Sequence, residues 1–240
     1  MLQSYTIYGE RCSGTNYLEN LININFDANV TWKYGWKHFF GFHNEALKNS
    51  DNTLFICIVR NDVDWMNSLY RELHQLPLQY KTSLTEESKL DEFLNKEFWS
   101  FNDNYNKDNK YTNEEILQRS ADNEKLDDRN IYTGERYKNI YELRHTKIKW
   151  MLEDLPKKVK NYVFIRYEDL LNDFENTLIK IKNSGLKIKD NNKFPVNSKD
   201  YKNNRNIVYV KKDNVIPFEI IKSNPNFIPF YEEKLYGYKK

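Results

Sequence analysis

Three short stretches carry residue types that can bind and move an anionic group. The first is Gly9-Glu10-Arg11-Cys12-Ser13-Gly14-Thr15, two glycines bracketing four residues and followed by a hydroxyl. In a loop of this spacing between a strand and a helix, backbone N–H groups curl around a phosphate and the helix start adds its positive end. The amides of Ser13, Gly14 and Thr15, the hydroxyls of Ser13 and Thr15, and the Arg11 guanidinium are the expected donors. The Lys that usually follows the second glycine, and reaches the β- and γ-phosphates of a nucleoside triphosphate, is replaced by Thr15. That argues against ordinary ATP or GTP hydrolysis. The stretch also reads as a bare strand–turn–helix whose glycines only permit the turn.

The second stretch is Arg60, directly after the apolar run Thr53–Val59 (TLFICIV), with Ser68 eight residues further on. A P-loop nucleotide hydrolase usually ends such a strand in an acidic residue that organises Mg²⁺. A guanidinium fork suits phosphate oxygens instead. Ser68, about two turns into the next helix, can meet the same phosphate. A salt bridge from Arg60 to Asp62 or Asp64, and a plain helix-surface role for Ser68, are the structural alternatives. The third stretch is Trp36-Lys37-His38. An imidazole, with an ordinary pKa near ~6.5, is available as a neutral base at pH 7, and a structural or substrate-positioning role for His38 is the alternative. Lys37 beside it suits a clamp on developing negative charge. Neighbouring side chains on a strand face opposite ways, so both serve one site only if the strand has already ended. His43, His74 and His145 sit in polar or helical contexts and read as structural or surface residues. Glu10 is the reserve base.

The elements that must position these groups follow from hydrophobic patterning. Leu2–Tyr8 reads as a strand, Thr15–Phe26 as a helix and Asn29–Trp36 as a second strand. Thr53–Val59 is apolar throughout, as a parallel strand buried on both faces must be. Asp62–Gln75 opens with acids in its first turn and reads as a helix. Tyr137–Leu155 reads as a helix, Tyr162–Arg166 as a short buried strand, and Glu168–Ile181 as one amphipathic helix. Asn206–Val210 reads as a last strand and Ile216–Tyr236 as two short helices. This alternation predicts an α/β fold of three layers around a mostly parallel central sheet. One domain over 1–240 is expected, carrying a polar, partly helical insertion over 78–135 with helical patches at Glu86–Phe98 and Asn113–Arg119. That insertion is a candidate lid or acceptor wall. Its Phe98, Trp99, Phe101 and Tyr105 either stack on a sugar or phenol or form the insertion's own small core.

Composition narrows the classes. Lys and Arg (37) nearly balance Asp and Glu (35), which excludes a simple polybasic nucleic-acid arm. Aromatics at 15% give enough area for a real core and exclude disorder. No apolar run approaches the roughly 20 residues of a membrane span. Two cysteines, Cys12 and Cys57, make no disulfide framework, so a reducing cytosol is the simplest compartment. No metal-ligating spacing of His, Cys, Asp or Glu stands out. From Lys180 to Lys240 there are 14 basic against 6 acidic residues, a bias that helps hold an anion or simply coats a solvated surface.

Taken in order, these stretches resemble the PAPS-dependent sulfotransferases, which bind 3′-phosphoadenosine-5′-phosphosulfate on a P-loop-type fold. Their first motif centres on Ser-Gly-Thr, similar to Cys12-Ser13-Gly14-Thr15-Asn16. Their second is a strand ending in Arg with a Ser eight residues later, similar to Arg60 and Ser68. A third, Arg-Tyr-Glu-Asp-Leu, matches Arg166-Tyr167-Glu168-Asp169-Leu170, and Glu233–Tyr238 resembles the family's usual ending. Uncharacterised members resemble this chain at Gly9–Asn16, Trp36–His38 and Thr133–Tyr137. The resemblance spans most of the chain except about 78–128.

It implies that Arg11, Cys12, Ser13, Gly14, Thr15 and Asn16 hold the 5′-phosphosulfate. It implies that Arg60 and Ser68 hold the 3′-phosphate, with Arg205, Lys211 and Lys212 as a basic segment beside it. His38 is then the base that deprotonates the acceptor, and Lys37 or Arg11 supplies charge at the transferring group. No metal is implied. The acceptor is a carbohydrate, a small hydroxylated molecule or a protein tyrosine. Many members carry a Lys just before Ser-Gly-Thr, where this chain has Cys12. A P-loop small-molecule kinase, and a nucleotide-binding protein of the same fold without turnover, are the competing readings.

Overall fold

A strand apolar on both sides needs cover on both faces, and the architecture supplies it. In the computed structural model, residues 2–72, 76, 85–102, 115, 118, 121–189, 194–197 and 212–237 are described. The elements run β1 (Ser4–Tyr8), α1 (Thr15–Asn25), β2 (Asn29–Val30), α2 (Asn44–Leu47), β3 (Thr53–Val59), α3 (Asp62–Glu72) and α4 (Glu86–Asn95). They continue with α5 (Ile140–Lys149), a π-helical turn (Trp150–Asp154), α6 (Leu155–Lys158), β4 (Tyr162–Arg166), α7 (Tyr167–Asn172), α8 (Phe174–Asn183), α9 (Phe218–Ser223) and α10 (Phe230–Tyr236). The chain divides into two compact units. One comprises Met1–Trp65 and Ile148–Val215, the other Met66–Lys147 and Ile216–Lys240. The expected insertion at 78–135 lies wholly within the second unit, whose bounds are wider and include the C-terminal helices.

The first unit is built on a four-stranded sheet, order β2-β1-β3-β4, with every described pairing parallel. The fold is therefore α/β, as the alternation predicts. Register places Tyr5, Ile7, Leu54, Ile56, Ile58, Val163 and Ile165 on one face. There they meet Leu18, Leu21 and Ile22 of α1, Tyr167 and Leu170 of α7, and Leu178 and Ile181 of α8. The other face is aromatic: Tyr8 lies 4.9 Å from Phe40 and 5.8 Å from Trp150 by ring centroid, and Phe55 lies 5.2 Å from Tyr34. Cys57 sits in the middle of β3 on this face, and burial pushes its thiol well above the usual range although a Tyr162 hydrogen bond opposes the shift. It is an inert filler, not a nucleophile.

Two elements differ from the sequence reading. The expected strand Asn29–Trp36 stops at Val30. Trp32, Tyr34 and Trp36 alternate as a strand would, but Gly35 adopts a left-handed φ of 113° and its N–H returns to the Trp32 carbonyl at 3.1 Å. A turn therefore takes over. The expected single helix Glu168–Ile181 is two helices, because Asp173 leaves helical geometry (φ −138°, ψ 54°) and begins α8. Its carboxylate accepts from Asn176 Nδ2 at 2.8 Å. The Tyr137–Leu155 helix is interrupted by the π turn just before Pro156, whose ring cannot donate to the ladder. Asn206–Val210 lies outside the described residues.

The second unit sets ion pairs into its interior. The Lys147 ammonium meets the Asp128 carboxylate at 2.5 Å with both side chains essentially sealed from solvent, and Ser100 Oγ donates to the same carboxylate. Arg144 makes a two-pronged contact with Glu232 at 2.6 and 2.9 Å. Arg136 bridges Glu124 (2.6 Å) and Glu97 (2.9 Å) while lying 4.1 Å over the Trp99 ring. Phe98, Trp99 and Phe101 are buried, so they form this unit's own core. Tyr105 lies outside the described residues. Among the described residues, no helix is long and apolar enough to cross a membrane.

Candidate functional site

Strand order reverses between β1 and β3. The chain leaves β1 for β2 on one side, then crosses to β3 on the other, and ligands of open α/β sheets bind at such a reversal beyond the carboxyl ends of the strands. In the β1–α1 loop that follows, Cys12 (φ 64°) and Gly14 (φ 92°) are both left-handed. Alternation of this kind turns successive N–H groups toward one side, the geometry of an anion nest. Gly14 is the N-cap of α1 and offers no capping side chain, and the first turn contains no acid. No side chain of α1's own first turn therefore caps its N-terminal N–H groups or offsets its positive end.

The Ser13 N–H and hydroxyl both donate to the Glu10 carbonyl, at 3.1 and 2.5 Å. Ser13 therefore closes the loop on itself in this structure, and the helix start at Gly14 carries no side-chain cap. Arg11 is buried, with its guanidinium 5.5 Å from the Phe39 ring, and its carbonyl accepts from Trp65 Nε1 at 2.8 Å. Trp65 was not visible as a site residue from sequence. It is the fully buried peg that fixes the loop to the start of α3.

Lys37 and His38 are the two central residues of a turn, closed by Phe39 N–H donating to the Trp36 carbonyl at 2.9 Å. Because the strand has ended, both side chains can serve one neighbourhood. The turn is pinned to Gly9 from two sides: Gly9 N–H donates to the Lys37 carbonyl at 3.0 Å, and His38 Nδ1 donates to the Gly9 carbonyl at 2.7 Å. A neutral imidazole donating from Nδ1 carries its lone pair on Nε2. The Lys37 ammonium reaches Asn16 Oδ1 at 2.5 Å and Glu19 at 3.3 Å, and lies 5.7 and 5.3 Å from the Trp32 and Trp36 rings. It is fixed beside the first turns of α1.

Arg60 leaves the end of β3 buried at 4% exposure, and its Nη1 donates to the Cys12 carbonyl at 3.3 Å. The Tyr167 ring lies under its guanidinium at 5.1 Å. A Cβ added at Gly14 would overlap the same ring, so only glycine fits there. The Arg-Tyr-Glu-Asp-Leu segment therefore has a visible job. Arg166 grips Asp169 through Nε (3.0 Å) and Nη2 (2.5 Å), and Glu168 Oε1 accepts from both the backbone N–H and the Nδ2 of Asn61 at 2.8 Å. Tyr167, between them, bears on the loop and on Arg60 together. Its sequence signal was its place directly after a buried strand, but nothing there assigned the ring a role.

The fold thus brings residues 9–16, Lys37, His38 and Arg60 into one neighbourhood of the sheet unit. Ser68 lies on α3, half-buried, and belongs to the second unit. Arg205 and Lys211 lie outside the described residues, and Lys212 is exposed. No family model matches the chain, and no curated protein matches it.

Proposed function

We propose that this protein is a sulfotransferase that moves a sulfuryl group from PAPS to a hydroxyl or amine acceptor by in-line displacement, on a P-loop-type fold. The observation that carries this reading is the contact of Arg60 with the Cys12 carbonyl. It sets a guanidinium delivered by β3 beside an uncapped helix start delivered by β1. A kinase of similar architecture would offer a Mg²⁺-organising carboxylate at that strand end and a Lys at position 15. Arg60 and Thr15 stand there instead. Arg60 suits a 3′-phosphate, which ATP lacks, and the amides around Gly14, Thr15 and Asn16 suit the 5′-phosphosulfate. Cys12 and Cys57, neither in a disulfide, fit a reducing compartment such as the cytoplasm.

In this reading the acceptor oxygen attacks sulfur while His38 Nε2 takes its proton. The electron pair of the breaking S–O bond stays on the 5′-phosphate oxygen of the departing 3′,5′-bisphosphate. The start of α1 and Arg11 meet the charge growing there, and Lys37 adds positive charge beside Asn16. Gly9 holds His38 in the required tautomer. Incubating the protein with sulfuryl-labelled PAPS and a panel of sugars, phenols and tyrosine peptides should transfer label to one class. His38→Ala should lower that transfer by about 10²–10⁴-fold. Undiminished transfer in His38→Ala would remove His38 as the base. Bisphosphate binding without transfer to any acceptor would leave a nucleotide-binding protein that does not turn over.

A further inference from the structure

We infer that Tyr167 is a positioning residue: its ring sets the placement of Arg60 relative to the start of α1, and with it the selection of nucleotides that carry anions at both ends. The nucleotide part rests on the sulfotransferase reading, whereas the placement part does not. The ring sits at a junction where both holders meet one side chain. On one side it approaches Gly14 so closely that Cδ2 and Cε2 would overlap an added Cβ. On the other, the Arg60 guanidinium carbon lies 5.1 Å from its centroid. Arg60 and the loop also meet directly through the Cys12 carbonyl. The ring is therefore a spacer of fixed thickness between a helix start and a cation.

The spacer is itself held rigidly. Register pairing of Val59 with Arg166 fixes the end of β4 against β3. The Arg166–Asp169 fork locks the first turn of α7, and Glu168 clamps Asn61, the residue after Arg60. Tyr167 and Arg60 are both buried, so the contact is desolvated, where cation–π attraction is strongest. A simple core filler would need none of these anchors on the neighbours of its two contacts. A ring face, moreover, orients a planar guanidinium in a way that an aliphatic side chain of similar volume does not.

Two readouts test this on the full chain. In unliganded protein, ring current should displace the Arg60 Nε–H resonance, assigned by its loss in Arg60→Lys. Tyr167→Phe should keep that displacement and Tyr167→Leu should abolish it. In calorimetry, the affinity ratio of adenosine 3′,5′-bisphosphate to adenosine 5′-monophosphate should fall about tenfold in Tyr167→Leu, with monophosphate affinity changed less than about threefold. Tyr167→Phe should hold the ratio within about twofold. An unchanged ratio and unmoved resonance in Tyr167→Leu would overturn the inference. Equal loss in Phe and Leu would also overturn it, by assigning the effect to the hydroxyl. If Tyr167→Leu does not fold, Glu168→Gln, which loosens the Asn61 clamp but leaves the ring, should give a smaller loss of the ratio, and no loss would count against the inference. Wild-type protein with no preference for the bisphosphate would overturn the sulfotransferase reading, and the Arg60 resonance would then decide the placement claim alone.

Discussion

In the sheet unit, two buried arginines contact rings and a carbonyl oxygen: Arg60 lies over Tyr167 and against the Cys12 carbonyl, and Arg11 lies beside Phe39. In the second unit, basic side chains settle on carboxylates: Lys147 on Asp128, Arg144 on Glu232, Arg136 on Glu124. Lys37 is intermediate, touching two indoles and Glu19. A carboxylate compensates the charge of a buried cation, so that removing either partner alone is costly. A ring face or carbonyl orients a cation without supplying a full opposite charge. Both units bury an apolar core, and they differ in where their buried cations sit: at the strand tips of the first unit, and in ion pairs set into the core of the second. Substitutions should separate the two.

The largest effect is expected in the second unit. Asp128→Ala strands the Lys147 ammonium away from water and should cost about 3–5 kcal/mol in denaturant unfolding. Asp128→Leu combined with Lys147→Met should recover most of that loss, and a single substitution costing under about 1 kcal/mol would break the contrast. In the sheet unit, Ile56→Ala removes a fully buried side chain between β1 and β4 and should cost about 3 kcal/mol, insensitive to salt. At the strand tips the cost should appear in binding: Arg60→Ala should weaken the 3′,5′-bisphosphate by about 2 kcal/mol, roughly 30-fold, and leave the 5′-monophosphate nearly unchanged. Equal losses for both ligands would detach Arg60 from the 3′ end.

The smallest effect concerns acid. Burial opposes ionisation of Glu124, but hydrogen bonds from Arg136 and Arg129 outweigh it and hold the carboxyl below its ordinary range. Its contribution is therefore complete above the ordinary carboxylate pKa of about 4.3 and is lost as pH falls through the lower folded value. Glu124→Gln should cost about 1 kcal/mol at pH 7 and flatten the acid limb of the stability profile. An unchanged acid limb would show that the Arg129–Glu124–Arg136 cluster carries no linked stability.

Much of the sheet unit was legible in the sequence because its signals are local. Thr53–Val59 is β3 to the residue, since a strand covered on both faces leaves no polar position to blur its ends. The loop glycines marked the start of α1 correctly. The second strand was over-read because three alternating aromatics imitate a strand, and only Gly35 betrays the turn. The bounds of the second unit were not legible, because its defining contacts join residues far apart, as Arg144 and Glu232 do. At the candidate site, residue types singled out Arg60 and His38, and both contact the segment between β1 and α1. The turn that lets Lys37 and His38 share a neighbourhood, and the Tyr167 ring beneath Arg60, depend on side chains meeting across elements, which spacing cannot reveal. Ser13 is the converse case: its type suggests phosphate binding, yet its donors close on Glu10.

The central claim is that the strand tips hold a nucleotide by two separated anionic ends. Titration calorimetry of the full chain with adenosine 3′,5′-bisphosphate, and separately with Mg·ATP, tests it most directly. Binding of the bisphosphate at least about tenfold tighter than Mg·ATP, and undiminished by a chelator, is the expected result. Tighter binding of ATP that depends on Mg²⁺ would contradict it.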